Sequence, residues 1–210
     1  MPSAAFTIAA LNDEGFEEVI QGNSGGAWGT LVLAGSGSGP ATDYHAGWRW
    51  VTTVPQGATI NSATLKLRAR DALTGALANI HLAFFGNDVD SAGDWTSTTL
   101  VPTTMPPTTA KVDYDPVAWV PDDYYNFDIT SVVQEIVSRG GFSGTLAVAL
   151  MNDGTTGDNS LSFYRFGDGD TESGKITIDY TAGGGGGGGT PDAFSPSVPR
   201  FPRWMARLRG

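Results

Sequence analysis

Apolar and polar residues alternate with a period of two along several short segments of the chain. The clearest segment is residues 63–70, where Ala and Leu fall on one face and Thr, Lys and Arg fall on the other. This alternation predicts a β-strand with one buried face and one solvent-exposed face. The same pattern predicts strands at residues 175–180, 78–82 and 47–51.

Residues 145–151 are apolar on both faces, which predicts a strand buried in the middle of a sheet. Further strands are expected at residues 6–10, 17–21, 28–34, 111–114 and 161–166. Glycine- and proline-rich turns separate these segments throughout the chain.

One short helix is also predicted. Ser131 and Gln134 have the spacing of a capping box, an apolar stripe follows within residues 132–137, and Arg139 and Gly140 end the segment. About ten short strands with one helix in a connection predict an all-β fold. We expect a jelly-roll-like antiparallel β-sandwich with one short helix and an extended C-terminal tail.

The chain divides into a body and two C-terminal segments. Residues 1–182 carry all the predicted elements, residues 183–189 are seven consecutive glycines, and residues 190–210 form a tail rich in Pro, Arg and aromatic residues. A glycine run behaves as a flexible tether that spans on the order of 15 Å. The net charge of the chain is −10, of which the tail contributes +3 and the remainder −13.

The tail combines apolar anchors with arginines, the residue types that dominate protein interfaces. We therefore expect it to bind a protein partner, and the candidate docking residues are Arg200, Phe201, Arg203, Trp204, Met205, Arg207 and Leu208. The alternatives are a disordered tail, a short membrane-surface helix and contact with packaged nucleic acid through the arginines. Of these, docking to protein is the preferred interpretation.

Composition excludes several classes of site. The chain has no cysteine, so disulfides, iron–sulfur clusters and thiol nucleophiles are ruled out, and two histidines are too few for a three-histidine metal site. The acidic body argues against nucleic-acid binding through a basic face. The N-terminus shows no signal-peptide pattern and no window resembles a membrane span, so we expect no membrane association.

Several motifs of the body resemble the DNRLRE-type β-sandwich family. They are the run from Pro55 to Leu67, Trp95, the run from Phe127 to Val133, residues 146–150 and residues 176–180. The resemblance covers roughly residues 44–180. It implies a fold similar to carbohydrate-binding modules, of a kind that occurs in phage virion proteins and bacterial surface proteins.

Aromatic residues near the middle of the chain are candidates for stacking on sugar rings. The proposed glycan-binding set is Tyr44, His45, Trp48 and Trp119, which Trp95 could extend. Trp48 and Trp50 fall on one face of a strand, and large aromatics that share a face are more often part of a core. A core role for these tryptophans is therefore the preferred interpretation, and a sugar-binding platform and a subunit interface are the alternatives.

Acidic residues on several predicted loops are candidate calcium ligands. Asp168, Asp170 and Glu172 supply three carboxylates on one turn, and residues 152–154 and 158–159 add further oxygen ligands. Their spacing is not that of an EF-hand, and Asp and Asn also favour turns without any ion. Ordinary turns are the preferred interpretation, calcium is the alternative, and no other cofactor is expected.

No pattern in the chain pairs two carboxylates, and no nucleophile motif is present, so we do not expect an enzyme.

The expected function is a structural virion protein of a tailed phage, assembled in the host cytoplasm. It would most resemble a head decoration or fibre protein, anchored by its tail to capsid or tail subunits and to copies of itself. The alternative is a carbohydrate-binding adhesin that recognises host surface glycans.

Overall fold

The structure is a computed structural model that describes residues 2–8, 13–20, 23–24, 32–37, 42–95, 102–165 and 174–183. The predictions for the tail, for most of the glycine tether and for Asp168, Asp170 and Glu172 lie outside these ranges. Within them, two antiparallel β-sheets pack face to face, with one α-helix in a connection. The predicted all-β sandwich with one short helix is confirmed.

The smaller sheet has four strands. In spatial order they are β1 (Ser3–Phe6), β12 (Lys175–Thr181), β6 (Thr59–Arg68) and β9 (Tyr124–Asp128). The larger sheet has eight strands. Six of them follow the order β11 (Asn159–Phe163), β4 (Val32–Ser36), β5 (Thr42–Val51), β10 (Thr145–Asn152), β7 (Leu82–Asn87) and β8 (Pro107–Tyr114). In addition, β2 (Glu14–Ile20) pairs with β5, and β3 (Asn23–Ser24) pairs with β2.

The space between the sheets is filled by side chains that alternate along the strands. On β6, Ala63, Leu65 and Leu67 have no solvent exposure, while Thr64, Lys66 and Arg68 face partly outward. Trp48 and Trp50 of β5 point into the same core. The Trp48 ring meets the ring of Phe163 edge to face at 5.9 Å, and the Trp50 Nε1–H donates a 2.6 Å hydrogen bond to the carbonyl of Gly174. The preferred core interpretation of both tryptophans is confirmed.

Strand β10 is buried on both faces, as its sequence predicts. Leu146, Val148 and Leu150 face the smaller sheet, and Ala147 and Ala149 face a second apolar cluster with Trp95 on the opposite side. That cluster lies under the connection between β7 and β8, whose residues Ala92, Trp95 and Met105 cover the sheet. Gly47 permits this cover, since a Cβ there would lie 2.7 Å from Cε2 of the Trp95 ring.

Helix α1 (Thr130–Val137) packs against β6, β7 and β8 through its apolar stripe. A Cβ at Gly86 of β7 would lie 2.7 Å from Ile136 Cδ1, so the glycine allows this close approach. The predicted capping box is wrong. Ile129 is the N-cap, and Gln134 instead accepts the Ile60 N–H and donates to the Ala58 carbonyl.

The helix start is fixed by the preceding strand. The Asp128 carboxylate accepts hydrogen bonds from the Thr130 N–H and hydroxyl, at 3.0 and 2.6 Å. Because these bonds favour the ionised form, they lower the pKa of Asp128. The Thr130 hydroxyl in turn accepts the Ala63 N–H, so a tertiary contact with β6 replaces the predicted local cap.

The predicted strand at residues 78–82 is also wrong. A short 3-10 helix occupies Leu77–Asn79, and β7 begins only at Leu82. Ile80 is buried and His81 is exposed, so the alternation exists. However, the His81 N–H donates to the Thr155 hydroxyl and its carbonyl accepts from the Asp153 N–H, which ties the segment to a loop and not to a strand.

Within the described ranges, no helix is long and apolar enough to cross a membrane.

The core role of Trp48 yields a stability prediction. We expect Trp48→Ala to lower the free energy of unfolding by about 3–5 kcal/mol, because it leaves a large cavity between the sheets. Val117→Ala is the matched control, since Val117 is 96% exposed, and we expect it to change stability by less than about 0.5 kcal/mol. Urea unfolding followed by circular dichroism measures both, and equal effects would contradict the packing described here.

Candidate functional site

The four aromatic candidates for glycan binding do not share a surface. Trp48 has no solvent exposure and lies in the core between the sheets, so it offers no face to a sugar ring. His45 is 5% exposed and lies on the outer face of the larger sheet. Tyr44 and Trp119 are half-buried. The proposed set therefore reduces to two residues with any accessible ring surface.

His45 belongs to a buried polar cluster that the sequence did not reveal. Its Nδ1 accepts the Asn152 N–H at 3.0 Å, and the Asn152 amide donates to the carboxylate of Asp43. Glu17 lies directly opposite His45 in the pairing of β2 and β5. The fully buried Glu17 carboxylate accepts the N–H and hydroxyl of Thr103, at 2.9 and 2.6 Å. These bonds hold the β7–β8 connection on the sheet, which is a structural role.

Burial is the main influence on the ionisation of His45. It lowers the pKa of the imidazole below its ordinary value of 6.5, and the carboxylates of Glu17 and Asp43 act in the opposite direction. Acceptance of the Asn152 N–H requires an unprotonated Nδ1, in agreement with a neutral ring. His45 is therefore a neutral hydrogen-bond acceptor inside the fold at pH 7.

Trp119 is held in place on three sides. Its indole stacks on the Tyr125 ring at 4.9 Å and meets the Phe163 ring edge to face at 5.2 Å. Its Nε1–H donates to the Asp71 carbonyl at 2.9 Å. The ring thus packs the 115–121 connection against the sandwich and stays half-buried.

Tyr44 lines a polar groove of about 290 Å³ at the end of the larger sheet. We call it the Tyr44 groove, and its lining residues are Leu33, Tyr44, Asp71, Ala72, Thr74, Asp158, Ser160 and Ser162. A β-bridge between Thr74 and Ser160 brings its two sides together. The Ser162 hydroxyl donates to the Asp71 carboxylate at 3.1 Å.

The chemistry of the Tyr44 groove suits a ligand with several hydroxyl groups. It offers one aromatic ring, two carboxylates and three side-chain hydroxyls at one concave surface. Burial, assisted by the charges of Glu18 and Asp158, raises the pKa of Tyr44, so its hydroxyl stays protonated as a donor. Sequence spacing did not indicate this groove, because Asp71 and Asp158 meet only through the pairing of distant segments.

The acidic turns within the described ranges have structural roles. The Asn152 side-chain oxygen accepts the N–H groups of Gly154 and Thr155, and that of Asn159 accepts the Ala76 N–H. Asn152 therefore stabilises a local turn, as expected, whereas Asn159 is the buried first residue of β11 and links that strand to residue 76. In the part of the chain that the structure describes, no group of three or more His, Asp or Glu could hold a metal ion. The calcium hypothesis for Asp168, Asp170 and Glu172 concerns residues outside that part.

Comparison with known proteins does not assign a function to the surfaces described above. No model of a known protein family matches the chain, and no curated protein matches its sequence. The resemblance of residues 44–180 to the DNRLRE-type sandwiches therefore stays a prediction.

The buried His45 leads to a prediction on pH dependence. Because its pKa is lower in the folded chain than in the unfolded chain, its contribution to stability is complete above pH 6.5 and is lost as the pH falls toward the folded-state pKa. We expect His45→Gln, which keeps a hydrogen-bond acceptor for Asn152, to lose less stability than the wild type between pH 7.5 and pH 5. Urea unfolding at both pH values measures this difference, and parallel pH profiles for the two chains would refute it.

Proposed function

We propose that the chain is a structural virion protein of a tailed phage, in which the sandwich body is displayed and the C-terminal tail anchors it. The closest roles are a head decoration or fibre protein bound to capsid or tail subunits and to copies of itself. The proposed location is the virion, after assembly in the host cytoplasm. In this proposal the body is a binding and display module without catalytic activity.

The observation that carries this proposal is the separation of charge and apolar character along the chain. The body carries −13, whereas the tail carries +3 and holds Phe201, Trp204, Met205 and Leu208. Large apolar side chains in a segment this polar are an energetic liability unless they bind a partner. A flexible tether raises the local concentration of the body at that partner, so many copies bind an assembly with high avidity.

The chemistry of the body supports a passive scaffold. Arg49, which is largely buried, bonds to the carboxylates of Asp13 and Asp94 and to the Ala92 carbonyl, and so fastens the β7–β8 connection to the sheet. Glu17 performs the same task through Thr103. Charged groups in the interior of this sandwich thus hold connections in place.

Tail-dependent self-association tests the proposal. We expect the mass-average molecular weight of the full chain to rise with concentration in light scattering after size exclusion. The double variant Trp204→Ala/Leu208→Ala should remain near the monomer mass, because it removes two apolar anchors. Added salt should weaken association of the wild type, since the arginines act through screened charge.

The matched control is Phe194→Ala, which removes an aromatic side chain from the same tail but outside the arginine-rich part. It should associate like the wild type. A wild-type chain that stays monomeric at every concentration would count against copies of the chain as a partner. Association that persists in the double variant would count against the tail as the anchor.

The Tyr44 groove favours a second candidate function, the glycan-binding adhesin. Its aromatic ring and its hydrogen-bonding groups match a hydroxyl-rich ligand, and Asp158 is exposed at its rim. We expect Asp158→Ala to reduce retention on immobilised glycans at least about fivefold, because it removes a charged acceptor. Asp123→Ala, an exposed carboxylate outside the groove, is the control. Absence of retention on a broad glycan panel, or equal retention of both variants, would eliminate this function.

A further inference from the structure

One flank of the sandwich is open between the last strands of the two sheets. Strand β8 ends the larger sheet and strand β9 ends the smaller one. A groove of about 270 Å³ lies between them, which we call the flank groove. Its lining residues are Phe84, Val112, Asp113, Tyr114, Tyr125, Asn126, Phe127 and Asp128.

The floor of the flank groove is aromatic. The Phe127 ring packs against Phe84 and against Tyr114, each at a centroid distance of 4.9 Å. Phe84 and Phe127 are buried, while Val112, Tyr114 and Tyr125 are half-buried and form the walls. Among the described residues, no hydrogen bond engages the Tyr114 hydroxyl. The groove therefore presents apolar ring surface together with the Tyr114 hydroxyl and the exposed side chains of Asp113, Asn126 and Asp128.

Helix α1 covers only one part of this flank. The Glu135 carboxylate accepts the N–H groups of Thr109 and Ala110, both at 2.7 Å, and so caps the first half of the β8 edge. The second half of β8, residues 112–114, borders the flank groove. Edge strands with accessible backbone groups bind extended segments of other chains readily.

The surroundings of the flank groove are acidic. Residues 107–128 contain five aspartates and a single basic residue, Lys111. Asp113 and Asp128 are exposed on the two sides of the groove. Lys111 bonds to Asp113 and to Asp153, both at 2.8 Å. Arg68 bonds to Asp122 at 3.0 Å, and Lys66 of β6 lies opposite Asn126, so these cations offset part of the charge while Asp113 and Asp128 stay at the groove itself. An apolar groove with an acidic rim is complementary to a segment with apolar anchors and basic neighbours.

Such a segment exists in the same chain. We propose that residues 200–208 of one copy bind in the flank groove of a neighbouring copy, with their apolar side chains on Tyr114 and Val112 and their arginines beside Asp113 and Asp128. This inference rests on the proposed function and names the surface that receives the tail. A contact between two different surfaces of identical chains links copies head to tail into a ring or an open chain.

The length of chain outside the described body permits this contact. The last described residue, Gly183, lies beside Gly57 at the start of β6. Sixteen residues separate Gly183 from Arg200, and they span up to roughly 55 Å when fully extended. That reach exceeds the thickness of two packed sheets several times, so the tail extends far enough to meet a second body.

A labelled peptide of residues 190–210 provides a direct test. The receptor is the full chain that carries Trp204→Ala/Leu208→Ala, so that its own tail does not compete. We expect fluorescence anisotropy to show binding, and we expect Asp113→Lys in this receptor to weaken it at least about tenfold. Asp158→Lys is the matched control, because it makes the same charge change at the exposed rim of the Tyr44 groove. Val112→Asp should also weaken binding, since it places charge on the apolar wall.

Circular dichroism and thermal midpoints verify that each receptor is folded. Equal loss of binding in Asp113→Lys and Asp158→Lys would overturn the flank groove, because it would indicate a general charge effect. If the tail variants abolish self-association but the flank-groove variants do not, the inference fails while the proposed function stands. A monomeric wild type whose tail binds its own flank would overturn the intermolecular contact.

Discussion

The architecture depends on the burial of strand β10 on both faces. A strand that is apolar on both sides needs two covers, and the chain supplies the smaller sheet on one side and the β7–β8 connection on the other. The first cover requires Trp48 and Trp50 to fill the space between the sheets. The second requires a glycine at position 47, on which the Trp95 ring lies. The remaining strands, helix α1 and the loops are arranged around this doubly covered strand.

Two grooves lie at the margins of the larger sheet. At β4 and β11, Val32, Ala34, Leu161 and Phe163 face the core, and the alternate residues Leu33, Ser160 and Ser162 line the polar Tyr44 groove on the opposite face. At the opposite flank, β8 and β9 part around the Phe84, Phe127 and Tyr114 rings. Charged groups in the interior, Arg49 and Glu17, hold connections in place. Exposed aspartates, by contrast, lie around the open flank. The acidic, aromatic groove and the basic, aromatic tail of the same polypeptide are the two halves of the interaction that we propose.

Period-two alternation was sufficient to predict the fold class, the two-sided burial of β10 and the inward direction of β6, because these depend on local pattern. It failed where a tertiary contact decided the outcome. Gln134 serves β6 and not a capping box, and residues 78–82 bond to a loop although Ile80 is buried and His81 exposed. Trp48 and His45 were poor glycan candidates for the same reason, since aromatic composition does not distinguish Trp48 in the core from Tyr44 at a groove. The sequence pattern did not predict either groove, because residues from distant segments of the chain form the walls.

The central claim is that the tail of one copy covers the open flank of another. Hydrogen exchange measured by mass spectrometry at low and high protein concentration tests it without any substitution. We expect slower exchange at high concentration in peptides from β8 and β9, residues 111–114 and 124–128, and in the tail itself. Protection that appears elsewhere on the body, or none at these two strands when the chain is associated, would contradict it.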